Sequence, residues 1–307
     1  MKINNILFPT DFSRCANQAL SHALYLAKHY RAKLYMLHAL ILHESDPFYP
    51  TYHFPNSEEL NDRLQSLSKT QMEKDLQNFS FDDLSIEKIQ RNGVSVASVI
   101  FEVIDDLSID LVVMGTHGRR GLGHLLLGSA AEEVVRSAPC PVLTVREKKS
   151  PTPLERIDRI MVPIDFSTHS QTALAYAEKI ARVYNAQLQL VHVVEDRVHP
   201  SFYLTGKQSI FEFMPEIKSR SEQQIEKMCR QANCSDVPSD IFIIEGMASR
   251  DLIKFAEENQ TDLIVISTHG LSGIEHFFLG SIAEKVVRRS PCPVFTVKSF
   301  GKSLIEL

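Results

Sequence analysis

Residues 109–145 read IDLVVMGTHGRRGLGHLLLGSAAEEVVRSAPCPVLTV, and residues 261–297 read TDLIVISTHGLSGIEHFFLGSIAEKVVRRSPCPVFTV. At this offset of 152, 22 of the 37 positions are identical, a density that unrelated sequences do not reach, so one domain has been duplicated. The repeat extends outward from this block. NNILFPTDFS at 4–13 returns as DRIMVPIDFS at 158–167, and Gly93 returns as Gly246. Between the copies, REKKSPTPLER at 146–156 is charged and carries two prolines, which suits an exposed linker. Two domains follow, 1–147 and 157–300, and a length of 307 residues independently favours two. The linker is short enough that the domains are expected to pack on each other.

Each copy alternates strand and helix signals. In the first, residues 5–9, 33–39 and 109–114 are short apolar runs bounded by polar or turn residues, and 84–90 and 141–145 add two more strands. Ala19, Ala23, Leu26 and Ala27 recur at helical spacing behind Ser13, a suitable N-cap. Leu60, Leu64, Leu67 and Met72 make a stripe through a second helix at 58–79, and 95–107 and 129–137 complete the set. Alternation of this kind predicts an α/β fold: two tandem doubly wound domains, each with a five-stranded parallel sheet and right-handed crossovers. In such sheets ligands bind beyond the carboxyl ends of the strands, where the winding reverses. The first strand ends in Pro9-Thr10-Asp11 and the fourth in Gly115-Thr116-His117-Gly118, so a site lies between them if these strands are neighbours.

The fourth strand is followed by the spacing Gly115-x2-Gly118-x9-Gly128-Ser129 and then a helix. Glycines permit positive φ and leave no Cβ between backbone amides and a phosphate. A helix opening at Gly128-Ser129 presents unpaired N–H groups to an anion, and the Ser129 hydroxyl can donate as well. Arg119 and Arg120 add positive charge inside the loop, and Asp11 can accept from ribose hydroxyls. Glycines after a strand also serve plain tight turns, and a Gly-Ser pair also simply caps a helix. The convergence of three glycines, a serine and a separate aspartate on one sheet edge favours a site. No Gly-Lys-Ser/Thr occurs, so this is not a Walker loop, and the strict dinucleotide fingerprint is absent too.

With these motifs the chain resembles a tandem universal stress protein. That family's adenine-nucleotide motif is G-x2-G-x9-G-S/T, which 115–129 satisfies in full, and its first-strand aspartate matches Asp11 in PTDFS and Asp165 in PIDFS. The resemblance implies an adenine nucleotide α-hydrolase-like, Rossmann-like fold with ATP between strands one and four, commonly with a divalent metal such as Mg2+. It implies that Pro9, Thr10, Asp11 and the backbone at Ala39 hold adenine and ribose, that Met114 and Gly115 contact the nucleoside, and that Gly118, Gly128, Ser129 and Ala130 contact phosphates. It also implies edge-to-edge pairing of last strands, here 141–145 with 293–297, giving an intramolecular pseudo-dimer and leaving a homodimer of chains open.

The second copy keeps Asp165, Gly270, Gly280 and Ser281 but departs elsewhere. Ser267 replaces the first glycine, Leu271 and Ser272 replace the arginines, and Glu275 replaces Gly123. A side chain where backbone should approach the nucleoside, and a carboxylate near phosphates, both predict weaker or altered binding there. His117 and His269, like His124 and His276, fall at matching loop positions; a loop-shaping hydrogen bond is favoured over a catalytic or metal role. Asp11 as a phosphoacceptor would need an acidic cluster and a facing lysine, which are not evident. The aromatic stretches at 43–55 and 197–215 read equally as lids or partner surfaces and as cover over the sheet. Leu125-Leu126-Leu127 and Phe277-Phe278-Leu279 read as core or domain-interface residues.

Composition bounds the rest. Hydrophobic residues make up 44% and charged residues 23%, with a net charge of −5, so neither nucleic acid nor an acidic membrane is an expected partner. No apolar run is long enough to span a bilayer, and MKINNILFPTDFS does not read as a signal peptide. Five scattered cysteines with no CxxC pair suit reduced thiols in a cytoplasm better than a disulfide framework or a zinc site. Three functions compete: a nucleotide-binding regulatory stress protein with an unidentified protein partner, an enzyme that hydrolyses or transfers from ATP, and a structural pair with vestigial loops. No base, nucleophile or acceptor stands clearly beside the glycine loop, which favours the first, with no catalytic residue assigned and slow hydrolysis by bound water and metal left open.

Overall fold

Runs of Val, Ile and Leu with no alternation need covering on both faces, and each half of the chain covers them with helices. The computed structural model describes residues 1–41, 57–77, 79, 84–117, 127–147, 157–195, 209–268, 279–298 and 300–305. It divides into two units, Lys2–Leu154 and Glu155–Leu307. The N-terminal unit runs β1 (Asn5–Pro9), α1 (Arg14–Tyr30), β2 (Lys33–Leu40), α2 (Ser57–Gln77), β3 (Ile86–Asn92), α3 (Val96–Asp106), β4 (Leu111–Gly115), α4 (Ser129–Ser137) and β5 (Val142–Val145). Its strands are all parallel, in the order β3-β2-β1-β4-β5. The chain therefore winds outward from β1 through β2 and β3, then returns to β4 on the other side of β1.

Ile6, Leu7, Phe8, Leu34, Met36, Leu37 and Leu111 are fully buried along the middle strands. Each such side chain contributes about 1.5–3 kcal/mol relative to exposure, which is what holds the strand order against the entropy of the chain. Ser13 caps α1 as the sequence predicts, accepting from the Ala16 N–H (3.1 Å). Two strands start later than the apolar letters suggest, β3 at Ile86 and β4 at Leu111. For β4 the cause is Asp110, whose buried carboxylate accepts from the Asn4 (2.6 Å) and Asn5 (2.9 Å) N–H groups and so belongs to the turn.

The apolar stripe expected on α2 is displaced. Of that stripe Met72 is buried as expected and Leu64 half-buried, but Leu67 is 59% exposed, while Ser68, Asp75 and Leu76 also face inward. Each polar residue on that face has a partner on at least one atom: the Gln90 side-chain amide donates to Ser68 Oγ, and the Gln71 amide donates to Asp75 Oδ1 (2.8 Å), while Asp75 Oδ2 is buried without a hydrogen bond.

The C-terminal unit repeats the plan: β6 (Arg159–Pro163), α5 (Thr168–Tyr184), β7 (Gln187–Glu195), α6 (Ile210–Phe213), α7 (Glu216–Gln231), β8 (Ser239–Gly246), α8 (Ala248–Glu258), β9 (Leu263–Ser267), α9 (Ser281–Arg289) and β10 (Val294–Val297). Its strand order is β8-β7-β6-β9-β10, again all parallel. Asp262 reproduces Asp110, accepting from the Asp158 and Arg159 N–H groups, both at 3.0 Å. At the chain end Leu304 and Ile305 are buried, and the Leu304 N–H donates to the Tyr176 hydroxyl of α5 (2.7 Å). Among the described residues, no helix is long and apolar enough to cross a membrane.

Candidate functional site

β1 and β4 are neighbours, in register from Ile6↔Leu111 and Leu7↔Val112. Adjacent strands lie about 4.8 Å apart, so the chain emerges from Pro9 beside the chain emerging from Gly115. The winding reverses here, and in doubly wound sheets such a reversal is where ligands bind.

The β1 side of the crevice is a fixed turn. The Thr10 N–H donates to the Leu37 carbonyl (2.8 Å), and Thr10 Oγ1 accepts from the Phe12 N–H (3.0 Å). Asp11 is half-buried, and its Oδ1 accepts from the Ser13 N–H (3.1 Å), which turns the carboxylate back over the start of α1. Phe12 takes a left-handed backbone, φ 62°. Its ring rests on His38 with centroids 4.5 Å apart, and His38 Nδ1 donates to the Thr10 carbonyl (2.8 Å). Ala39 follows on β2, half-buried and paired with Arg91.

The β4 side carries Met114, buried, and Gly115. A Cβ at Gly115 would lie 2.9 Å from Cys15 Sγ and 3.2 Å from the Ala16 nitrogen, so the missing side chain makes room for the first turn of α1. Thr116 Oγ1 is hydrogen-bonded to His117 Nδ1 (2.7 Å), which is the loop-shaping role expected of that histidine. The chain re-enters at Gly128, whose N–H donates to the Thr116 carbonyl (2.8 Å) and whose own Cβ would press on that carbonyl at 3.3 Å. Gly128 caps α4 with no side-chain hydrogen bond, whereas α1 and α3 are capped by Ser13 and Ser95. Ser129 is exposed and Ala130 half-buried at the first turn of α4. The first N–H groups of α4 thus have no side-chain cap, and the positive end of the helix dipole lies at this terminus.

Positive φ is not the reason for these glycines. Gly128 has φ −65° and Gly280 φ −56°, and neither they nor Gly115 are among the positive-φ residues; Phe12 and Phe166 are. The glycines serve close approach of backbone to backbone. This changes the reading of Ser267, since the equivalent side chain at Gly115 would point at α1 and not at a nucleoside. Cys15 donates its thiol to the Val145 carbonyl (3.2 Å); in the second copy His169 stands in place of Cys15, and Thr268 Oγ1 donates to the matching Val297 carbonyl (3.3 Å). Glycine-to-serine is therefore one part of a repacked helix start. The expectation of weaker binding in the second copy then rests on its changed loop sequence and not on Ser267. Gly118, Arg119, Arg120, His124, His269, Gly270, Glu275 and His276 lie outside the described residues, as do 42–56, 197–208 and most of both Leu/Phe triplets.

The second copy otherwise keeps the turn. Asp165 Oδ1 accepts from the Ser167 N–H (3.0 Å), Phe166 has φ 63° and lies 4.3 Å from the His192 ring, and His192 Nδ1 donates to the Ile164 carbonyl (2.8 Å). Gly280 donates to the Thr268 carbonyl (2.8 Å) and Ser281 is exposed at the start of α9. The Phe–His–carbonyl unit was not singled out from sequence; its signal is that DFS and a second-strand histidine recur in both copies.

Burial holds the His192 imidazole below the usual histidine range, against the opposing pull of the Ile164 carbonyl and Asp165. The folded state thus disfavours the proton that the unfolded chain accepts near about pH 6.5. Stability from this group is complete above that pH and is lost as pH falls below it. Urea midpoints of the C-terminal domain between about pH 8 and 5 should fall on acidification, and His192→Asn should flatten that fall.

Among the described residues no group of three or more His, Cys, Asp and Glu side chains is placed to hold a metal ion. Both halves of the chain match the family model described as the universal stress protein family, over residues 2–146 and 156–298. Universal stress protein MJ0531 of Methanocaldococcus jannaschii is 33% identical over 141 residues, covering 46% of this chain and 81% of its own length. Universal stress protein Slr1230 of Synechocystis sp. is 23% identical over 313 residues, 96% of this chain and 100% of that protein. Among solved structures, a universal stress protein from Archaeoglobus fulgidus superposes with a TM-score of 0.65 at 21% identity, over 97% of this chain and 99% of the other, a likeness of fold.

Proposed function

The chain belongs to the universal stress protein family, two of whose domains it carries in tandem, and on that premise we propose that its N-terminal domain binds ATP, with Mg2+, at the β1/β4 edge and acts by occupancy and not by turnover. The observation that carries the reading is the glycine-capped start of α4, opening without a side-chain cap beside the Asp11 turn. The residues present suit the ligand. A carboxylate offers about four lone-pair sites, so Asp11 can accept from ribose hydroxyls while retaining the Ser13 N–H. Pro9, Thr10 and Ala39 would border the base and ribose, Met114 and Gly115 the nucleoside, and Gly118, Gly128, Ser129 and Ala130 the phosphates. Mg2+ typically takes one or two carboxylates and the remaining oxygens from phosphates and water, so the nucleotide would bring most of its own coordination. Asp165, Gly270, Gly280 and Ser281 would make a weaker second site. A bound nucleotide would change the surface offered to a protein partner at this edge, which is how the cell's energy state would be read.

The test is to denature the purified protein and identify any released nucleotide by chromatography, then to titrate the emptied protein with Mg-ATP. Adenine nucleotide released in near one-to-one ratio, with steady-state phosphate release slower than about one turnover per minute, fits the reading; typical enzymes turn over at about 10 per second. Sustained fast release of phosphate would move the assignment to an ATPase, and no detectable binding would leave a duplicated scaffold.

A further inference from the structure

Asn-Gly occurs once in the 307 residues, as Asn92-Gly93. Asn92 is the last residue of β3, the end strand of the order β3-β2-β1-β4-β5, and it is exposed. Among the described residues no hydrogen bond holds its side chain. The Gly93 N–H donates to the Leu40 carbonyl at 3.2 Å, the long end of the range for such a bond, just past the last β2–β3 pair, Leu40 with Asn92. Val94, which follows, is 85% exposed. Packing fixes the glycine, because a Cβ there would overlap Cγ2 of the fully buried Val99 on α3. The side-chain carbonyl carbon of Asn92 is thus free to turn toward a main-chain nitrogen that no Cβ of its own residue shields.

We propose that Asn92 is a site of spontaneous deamidation, which converts it to a mixture of aspartate and isoaspartate and so marks aged copies of the N-terminal domain. Hydroxide removes the Gly93 amide proton as the bond to Leu40 opens. The nitrogen attacks Cγ of Asn92, the Cγ–Nδ2 bond breaks, and the amide group leaves as ammonia on taking a proton from water, which restores the hydroxide. Water then opens the cyclic imide. Breaking the bond from nitrogen to Cγ gives aspartate; breaking the bond from nitrogen to the main-chain carbonyl carbon gives isoaspartate, whose chain runs through Cγ. Water is consumed, ammonia is released and nothing is oxidised. Asn4 and Asn185 are also exposed, but the nitrogen that would attack is tied more closely there. The Asn5 N–H donates to Asp110 and the Ala186 N–H to the Ala181 carbonyl, both at 2.9 Å. The second copy has Glu245 before Gly246, with its carboxylate accepting from Ser209 Oγ (2.6 Å) and the Ile210 N–H (2.8 Å). A carboxylate resists nucleophilic attack, so the reaction belongs to the first copy alone. The imide nitrogen carries no hydrogen, so the Leu40 carbonyl loses its donor, and isoaspartate adds a main-chain carbon to the link between β3 and α3.

The experiment incubates the full-length protein in warm buffers of rising pH, withdraws samples over days, and digests each under acidic conditions with a protease that cuts after glutamate. Cleavage after Glu87 and Glu102 yields the peptide 88–102, in which Asn92 is the only asparagine. The expected result is a peptide heavier by the exchange of NH2 for OH, with fragment spectra placing the change at Asn92. Chromatography should resolve two products, the isoaspartyl form in excess. They should form faster as pH rises, and several-fold faster than the products at Asn4 or Asn185. Asn92→Gln should abolish the change, because its longer side chain does not close the same ring. The synthetic peptide 88–102 gives the rate without any fold. Asn92 that stays intact in the folded protein while the free peptide reacts, that reacts no faster than Asn4 and Asn185, or that yields aspartate alone overturns the proposal. The readout on the wild-type chain needs no variant to fold and no nucleotide to be present.

Discussion

Asp11→Ala is expected to weaken Mg-ATP binding by the N-terminal domain by about 10- to 100-fold. The estimate follows from losing hydrogen bonds to a charged acceptor, about 1.5–3 kcal/mol, where each 1.4 kcal/mol is tenfold. The same carboxylate also accepts the Ser13 N–H at the start of α1, so the variant loosens a turn as well as removing a ligand contact. The chain supplies the means of separating the two effects. Asp165 makes the same bond to the Ser167 N–H in the second copy, so Asp165→Ala reports the structural cost of losing that turn. Asp11→Asn keeps a carbonyl acceptor for the turn but gives up the charge. Calorimetric titration of the four proteins, with thermal melts alongside, decides the matter. Should Asp11→Ala bind as wild type does while melting lower, the aspartate serves only the fold.

Asp110→Ala should destabilise the N-terminal domain by about 2–4 kcal/mol. Its carboxylate takes two backbone N–H groups, from Asn4 and Asn5, at 2.6 and 2.9 Å, and is 1% exposed. Removing it leaves both part-buried donors without that acceptor, at about 1–2 kcal/mol each, the lower part of the range for a lost buried partner. Against a whole-domain stability of about 5–15 kcal/mol that is a large fraction. Urea unfolding of the full chain should show the N-terminal transition moving to lower denaturant with its slope unchanged. A shift worth less than about 1 kcal/mol would show that the β1 entry is held by strand pairing alone.

Asp110 also shows what sequence could and could not convey. The strand–helix alternation and the helix spans were legible because they rest on apolar periodicity, the duplicated DFS and glycine-loop segments, and a capping serine, whereas periodicity left open whether β1 and β4 are neighbours. Ser13 and the span 129–137 fell where the letters placed them. Asp110 was read as part of a strand because a buried carboxylate that serves backbone donors looks, in sequence, like any polar residue beside an apolar run. The α2 face was misjudged for the same reason, since Ser68 and Asp75 face inward with polar partners from Gln90 and Gln71. Gly115 and Gly128 were read as leaving room for a ligand, whereas the room beside them is taken by the start of α1 and by the Thr116 carbonyl. Composition records that a Cβ is missing, and only packing tells whether the space goes to Cys15, to the Thr116 carbonyl or to a ligand.

Both copies close the neck of their fourth-strand loop with one bond, Gly128 to Thr116 and Gly280 to Thr268, each 2.8 Å. Strand end and helix start are tied to each other directly, much as a handle is complete without its tip. Arg119 and Arg120 could thus give way to Leu271 and Ser272 without disturbing the frame. Duplication followed by change confined to such a cassette lets one half of a polypeptide acquire a new specificity while the other retains the ancestral one.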